Sequence, residues 1–79
     1  MQARISVYGF LKNVVPKRLG QHPFSLEFES TTTVYSILTS LLKIKTLDVI
    51  VLVNGKIANV EYVLQDHDDV RIIAPIAGG

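Results

Sequence analysis

An α+β domain, with one helix packed across one face of a mixed sheet, is the fold class that this 79-residue sequence predicts. Three observations predict it. Apolar residues alternate with polar ones near both ends of the chain, as they do along half-buried strands. A single stripe of helical spacing lies between those strands. Just beyond it, an Asn-Gly pair joins two apolar runs. One helix laid over one sheet buries all of these faces with the fewest elements.

The first strand is "ARISVYGF", in which Ile5 and Val7 share a core face and Tyr8 falls on the other. "FSLEFES" sets Phe24, Leu26 and Phe28 against Ser25, Glu27 and Glu29. Between the two, "LKNVVPKRLGQHP" carries Pro16, Gly20 and Pro23, which break regular structure. Lys12, Lys17, Arg18 and His22 make this connection basic, and a solvated loop accounts for them. In "STTTVYSILTSLLKIK", Val34, Ile37, Leu38, Leu41 and Leu42 form an apolar stripe about three turns long. Thr33 is the expected N-cap, accepting a hydrogen bond from a backbone N–H of the first turn. The β-branched residues lower intrinsic helix propensity, so this helix leans on packing. "VIVLVNGKIANV" is a hairpin whose Asn54-Gly55 supplies the two positive φ angles of a type I′ turn. Glu61 to Leu64 forms an irregular piece, "QDHDDV" a polar turn, and "VRIIA" the last strand. With Val70 and Ile72 facing the helix, Arg71 and Ile73 point outward.

An apolar fraction of 48% can build a core in one small domain. There is no cysteine, so neither disulfides nor thiolate zinc can staple the chain, and sulfur chemistry cannot use a thiol of its own. A net charge of +1 argues against nucleic acid as a partner. "MQARISVYGF" reads neither as a signal peptide nor as a span, so a cytoplasmic location away from membranes is expected. His67 among Asp66, Asp68 and Asp69 invites a metal reading. Adjacent residues of a tight turn do not converge on one ion, and a solvated turn without metal is expected instead. No nucleophile motif surrounds any serine, so no catalytic triad is read.

Element order, length and ending together resemble the ubiquitin-like β-grasp fold. Within it the sequence is similar to the ThiS/MoaD sulfur-carrier family, and to the MoaD type, the small subunit of molybdopterin synthase. Four stretches carry the resemblance: "ISVYGF", "TTVYSIL", "VLVNGKI" and "DHDDVRIIAPIAGG". The last is the most specific, matching the family's acidic turn, strand, proline and Gly-Gly ending. His67 stands where that turn usually has glycine, and one proline, Pro75, precedes Ile76 where MoaD types often show two.

The resemblance implies a β-grasp domain over residues 1–74 and a flexible tail over 75–79. It implies that the chain binds no cofactor and is no enzyme by itself. Its working group is the α-carboxylate of Gly79, which a ubiquitin-activating-like adenylyltransferase joins to AMP using ATP with Mg. Sulfur from a sulfur donor system then displaces AMP and leaves a thiocarboxylate, which donates sulfur to a precursor in a second enzyme, with the molybdopterin synthase large subunit as partner. Pro75, Ile76, Ala77 and Gly78 present that group. From Ala74 onward the extended chain reaches about 20 Å. Glycine, lacking Cβ, lets the tip approach ATP closely, while Pro75 cannot donate a ladder bond and should end the sheet. The resemblance further suggests that Tyr8, Leu52, Ile57 and Ile73 form an exposed apolar patch for the activating enzyme. The same tail fits a thiamin-pathway carrier, or a ubiquitin-like modifier joined through Gly79 to lysines of other proteins.

Overall fold

Alternation along the first residues of the chain produces β1 (Gln2–Tyr8), which buries Ala3, Ile5 and Val7 and exposes Arg4 and Tyr8. The computed structural model describes residues 1–9, 11, 23–43 and 49–73. Four more strands follow β1: β2 (Phe24–Glu27), β3 (Ile50–Val53), β4 (Lys56–Ala58) and β5 (Asp69–Ile73). They form one sheet in the order β2-β1-β5-β3-β4. β1 lies parallel to β5, and every other neighbour is antiparallel, so the sheet is mixed. The last strand is thus the central one. That position explains why Val70 and Ile72 are 1% and 0% exposed.

The helix begins as expected and then departs from expectation. Thr33 is extended at φ −105° and ψ 162°, and its Oγ1 accepts from the Ser36 N–H at 3.3 Å. After α1 (Val34–Ser36) the winding loosens into a π-turn over Ile37–Leu41. The Leu42 N–H there reaches back to the Ile37 carbonyl at 3.0 Å. Lys43, at φ 59°, stands just past this end in the left-handed region. The regular stretch is therefore shorter than the three turns of the apolar stripe. A run rich in serine, threonine and β-branched residues supports α-winding weakly. The Thr39 hydroxyl also donates to the Tyr35 carbonyl at 3.0 Å, using an acceptor that an α-turn needs. Wide winding still brings Leu38 and Leu42 wholly into the core beside Val34 and Ile37, and leaves Leu41 half-buried. Each such buried aliphatic contributes about 1.5–3 kcal/mol, so packing outweighs the poor local geometry.

Turn chemistry completes the frame. Asn54 and Gly55 take φ 54° and 86°, the type I′ pair that the right-handed twist of β3 and β4 requires. His67 adopts φ 69°, in the left-handed region that favours glycine. Its N–H donates to the Gln2 carbonyl at 2.6 Å, a bond that glycine would keep. Left-handed strain costs an L-residue about 1–2 kcal/mol, and the extra freedom of unfolded glycine offsets about 0.5–1 of that. His67→Gly is therefore expected to raise the thermal midpoint by about 2–6 °C. Calorimetry of the two proteins measures it, and an unchanged or lower midpoint would contradict the strain argument.

Candidate functional site

Strand register decides which side chains share the sheet face opposite the helix. Tyr8 on β1 pairs with Ile73 on β5, and Ile73 pairs with Ile50 on β3. In the adjacent row, Ser6 pairs with Arg71, Arg71 with Leu52, and Leu52 with Ile57 on β4. Directly opposed side chains in such rows stand about 4.5–5.5 Å apart at Cβ. The four residues suggested from sequence thus fall on one face. Ile57 is 81% and Tyr8 40% exposed, while Leu52 and Ile73 are half-buried between their neighbours. Ile50, 43% exposed, belongs to the same surface and was missed. The signal was available, because Ile50 has the same strand parity as Leu52.

Arg71 sits at the edge of this apolar surface, with Leu52 and Ser6 as its cross-strand neighbours and with Ile73 on one side and Asp69 on the other along β5. One guanidinium nitrogen, Nη2, lies 3.5 Å from Asp69 Oδ2, with both side chains substantially exposed. β5 is described to Ile73, the residue beside Tyr8, so the patch lies where the chain enters residues 74–79. Pro75, Ile76, Ala77, Gly78 and Gly79 lie outside the described residues, as does the expected boundary at residue 74.

The acidic turn is built for structure, and its three carboxylates do different work. Asp68 is 4% exposed. Its Oδ1 accepts from Asn54 Nδ2 at 2.8 Å, and its Oδ2 accepts from the Tyr62 hydroxyl at 2.9 Å and the Gln65 N–H at 2.8 Å. Burial, followed by the bond to Asp68 and that residue's charge, pushes the Tyr62 hydroxyl above its ordinary pKa. Asp66 accepts from the Gln2 N–H at 2.7 Å, and this bond is the main reason its carboxyl sits below the usual value. A carboxylate held low stabilises the folded state above its ordinary range, and the contribution fades as pH falls through the lowered pKa. Asp69 turns outward to Arg71. With each carboxylate committed elsewhere, no group of three potential ligands is placed to hold a metal ion among the described residues. No helix among those residues is long and apolar enough to cross a membrane.

Comparison with known proteins bears on this arrangement. A model of the ThiS family matches residues 12–79. None of the curated proteins matches the chain. Solved structures do. SAMP1 from Haloferax volcanii, a small archaeal modifier protein, superposes with a TM-score of 0.75 at 17% identity, covering 100% of both chains. Urm1 from Trypanosoma brucei gives 0.72 at 20% identity, over 99% of this chain and 95% of that one. The complex of subunits 1 and 2 of the molybdopterin-converting factor from Helicobacter pylori 26695 contains a chain that gives 0.64 at 20%, with 100% of both covered. At such identities the likeness is one of fold, and that fold is the ubiquitin-like β-grasp.

Proposed function

The chain belongs to the ThiS family of ubiquitin-like sulfur carriers, and from that premise we propose that it carries sulfur on Gly79 for molybdopterin biosynthesis. One observation carries the reading: the family match, over residues 12–79, runs to the end of the Gly78-Gly79 pair. The apolar face at the root of the tail supports it, because a carrier must dock while its end is modified.

A carboxylate resists nucleophiles, since its charge is shared by two oxygens. In the proposed sequence, a carboxylate oxygen of Gly79 attacks the α-phosphorus of ATP on an adenylyltransferase, and pyrophosphate leaves. Hydrosulfide delivered by a sulfur donor then attacks the acyl carbon, AMP departs with one carboxylate oxygen, and a thiocarboxylate remains. On the large subunit of molybdopterin synthase the thiocarboxylate passes its sulfur to a precursor, and water restores the carboxylate of Gly79. The Helicobacter pylori complex of subunits 1 and 2 supports a large-subunit partner of this kind. In this reading the chain works in the cytoplasm and catalyses none of these steps alone.

Incubation with the adenylyltransferase of its own source, ATP, Mg and a sulfur donor is expected to replace one oxygen of the intact chain by sulfur. Intact-protein mass spectrometry reads the change. A chain that stays unmodified beside demonstrably active enzymes overturns the proposal. A modifier role is the second reading, favoured by the similarity to SAMP1 and Urm1. Higher-mass conjugates in cells, lost when Gly79 is deleted, would decide for it.

A further inference from the structure

We infer that Arg71 selects the adenylating partner, by meeting a carboxylate that this partner carries at the edge of an otherwise apolar contact surface. The inference rests on the carrier reading in one respect, that some enzyme activates Gly79. Adenylation is also common to the carrier and modifier readings, so the choice of pathway does not enter.

Register places Arg71 where the apolar rows meet polar residues, with Ser6 across on β1 and Asp69 two residues back on β5. Leu52 lies directly across from Arg71 on β3. Ile73 is two residues along the same strand, and Tyr8 is diagonal on β1. A body covering Tyr8, Ile73, Ile50 and Leu52 therefore meets Arg71 at its margin. Guanidinium offers five N–H donors, and among the described residues its one ion-pair contact is with Asp69 at 3.5 Å, the weak limit of such a bond. Removing that charge from water is costly unless an acceptor of matching geometry replaces the lost solvent. A carboxylate does this best, because two parallel N–H···O bonds fit its two oxygens. Partners presenting a wholly apolar surface or a cation at this point would be rejected, which is the repulsive half of specificity.

The position of Arg71 points to the enzyme that handles the tail. β5 runs from Arg71 through Ile73 directly into residues 74–79. Those six residues span at most about 20 Å, so a body seated on this face receives the end of the chain without needing a second contact site. Asp69 would compete with the partner for the same guanidinium.

The test is adenylation by the purified activating enzyme of the same source, followed by ATP–pyrophosphate exchange. Arg71→Ala is expected to raise KM for the chain by about tenfold and Arg71→Glu by about a hundredfold, with kcat held within about twofold. Arg71→Lys should fall between wild type and alanine. Wild-type KM should rise with salt, and that of Arg71→Ala should rise much less. Asp69→Asn should lower KM. An exposed pair contributes little to stability, so thermal midpoints should match and confirm folding. Wild-type KM in Arg71→Ala and Arg71→Glu overturns this inference alone. A wild-type chain that is never adenylated overturns the carrier reading and this inference with it.

Discussion

Adding a single residue after Gly79 is expected to reduce adenylation by about 10²-fold or more while leaving the unfolding temperature unchanged. The extra residue displaces the terminal carboxyl by about 3.5 Å. In-line attack on a phosphorus tolerates far less, since reacting atoms misplaced by about 1 Å can already lose that factor. The body should not register the change. The described core spans Ala3 to Ile72, with the helix residues Leu38 and Leu42 wholly buried against the sheet, and the addition falls beyond it. ATP–pyrophosphate exchange measures the first quantity and calorimetry the second. Undiminished adenylation of the extended chain would remove Gly79 from the chemistry, whichever pathway the protein serves. A lowered midpoint would instead give the tail a part in folding.

How much of the fold could be read from sequence depended on how local each signal was. Asn54-Gly55 was legible because two successive positive φ angles leave few residue choices, and the structure places 54° and 86° there. Phe24, Leu26 and Phe28 were legible because a two-residue period admits only one face. The parallel pairing of β1 with β5 joins residues far apart, Arg4 with Asp69 for example, and no local pattern writes that register. The expectation of a mixed sheet stopped short of it. π-Winding over Ile37–Leu41 was not legible at all. An apolar stripe is compatible with either period over so few residues, and the choice fell to the tertiary contacts of Leu38 and Leu42.

The docking face was legible by parity but not read to its full extent. Tyr8, Leu52, Ile57 and Ile73 were found through the resemblance and share one side of the sheet, and Ile50, which has the parity of Leu52, joins them opposite Ile73. In "QDHDDV" the sequence showed three similar acids around one histidine. A solvated turn describes Asp66 and His67 well. It misses Asp68, because the direction of each carboxylate is set by the left-handed backbone at His67 and by donors contributed from Asn54, Tyr62 and Gln65.

Asp68→Ala is expected to cost about 2–4 kcal/mol of stability, a drop of roughly 10–25 °C in thermal midpoint for a chain of this size. Three donors from three segments converge on this one buried carboxylate: the hairpin turn through Asn54, the irregular stretch through Tyr62, and the approach to β5 through Gln65. Bonds to a charged group contribute about 1.5–3 kcal/mol each in isolation. The losses will not add fully, because Asn54 and Gln65 are exposed enough to find water, which leaves the half-buried Tyr62 hydroxyl with the largest penalty. Asp68→Asn should cost less than alanine but more than nothing. An amide keeps one acceptor, which can serve Tyr62 and Gln65. Its NH₂ then faces Asn54 Nδ2, and Asn54 cannot flip to help because its own Oδ1 accepts from the Asp69 N–H at 2.9 Å. Tyr62→Phe removes one bond and should cost about 1 kcal/mol. The Tyr62 hydroxyl, held above its ordinary pKa partly by Asp68, should titrate at lower pH in Asp68→Ala, though burial keeps some of the shift. Calorimetry with ultraviolet titration of tyrosine checks both statements. Equal stabilities for alanine, asparagine and wild type would mean that the turn holds β5 beside Asn54 without this carboxylate, and that the face bearing Arg71 and Ile73 is positioned by the sheet alone.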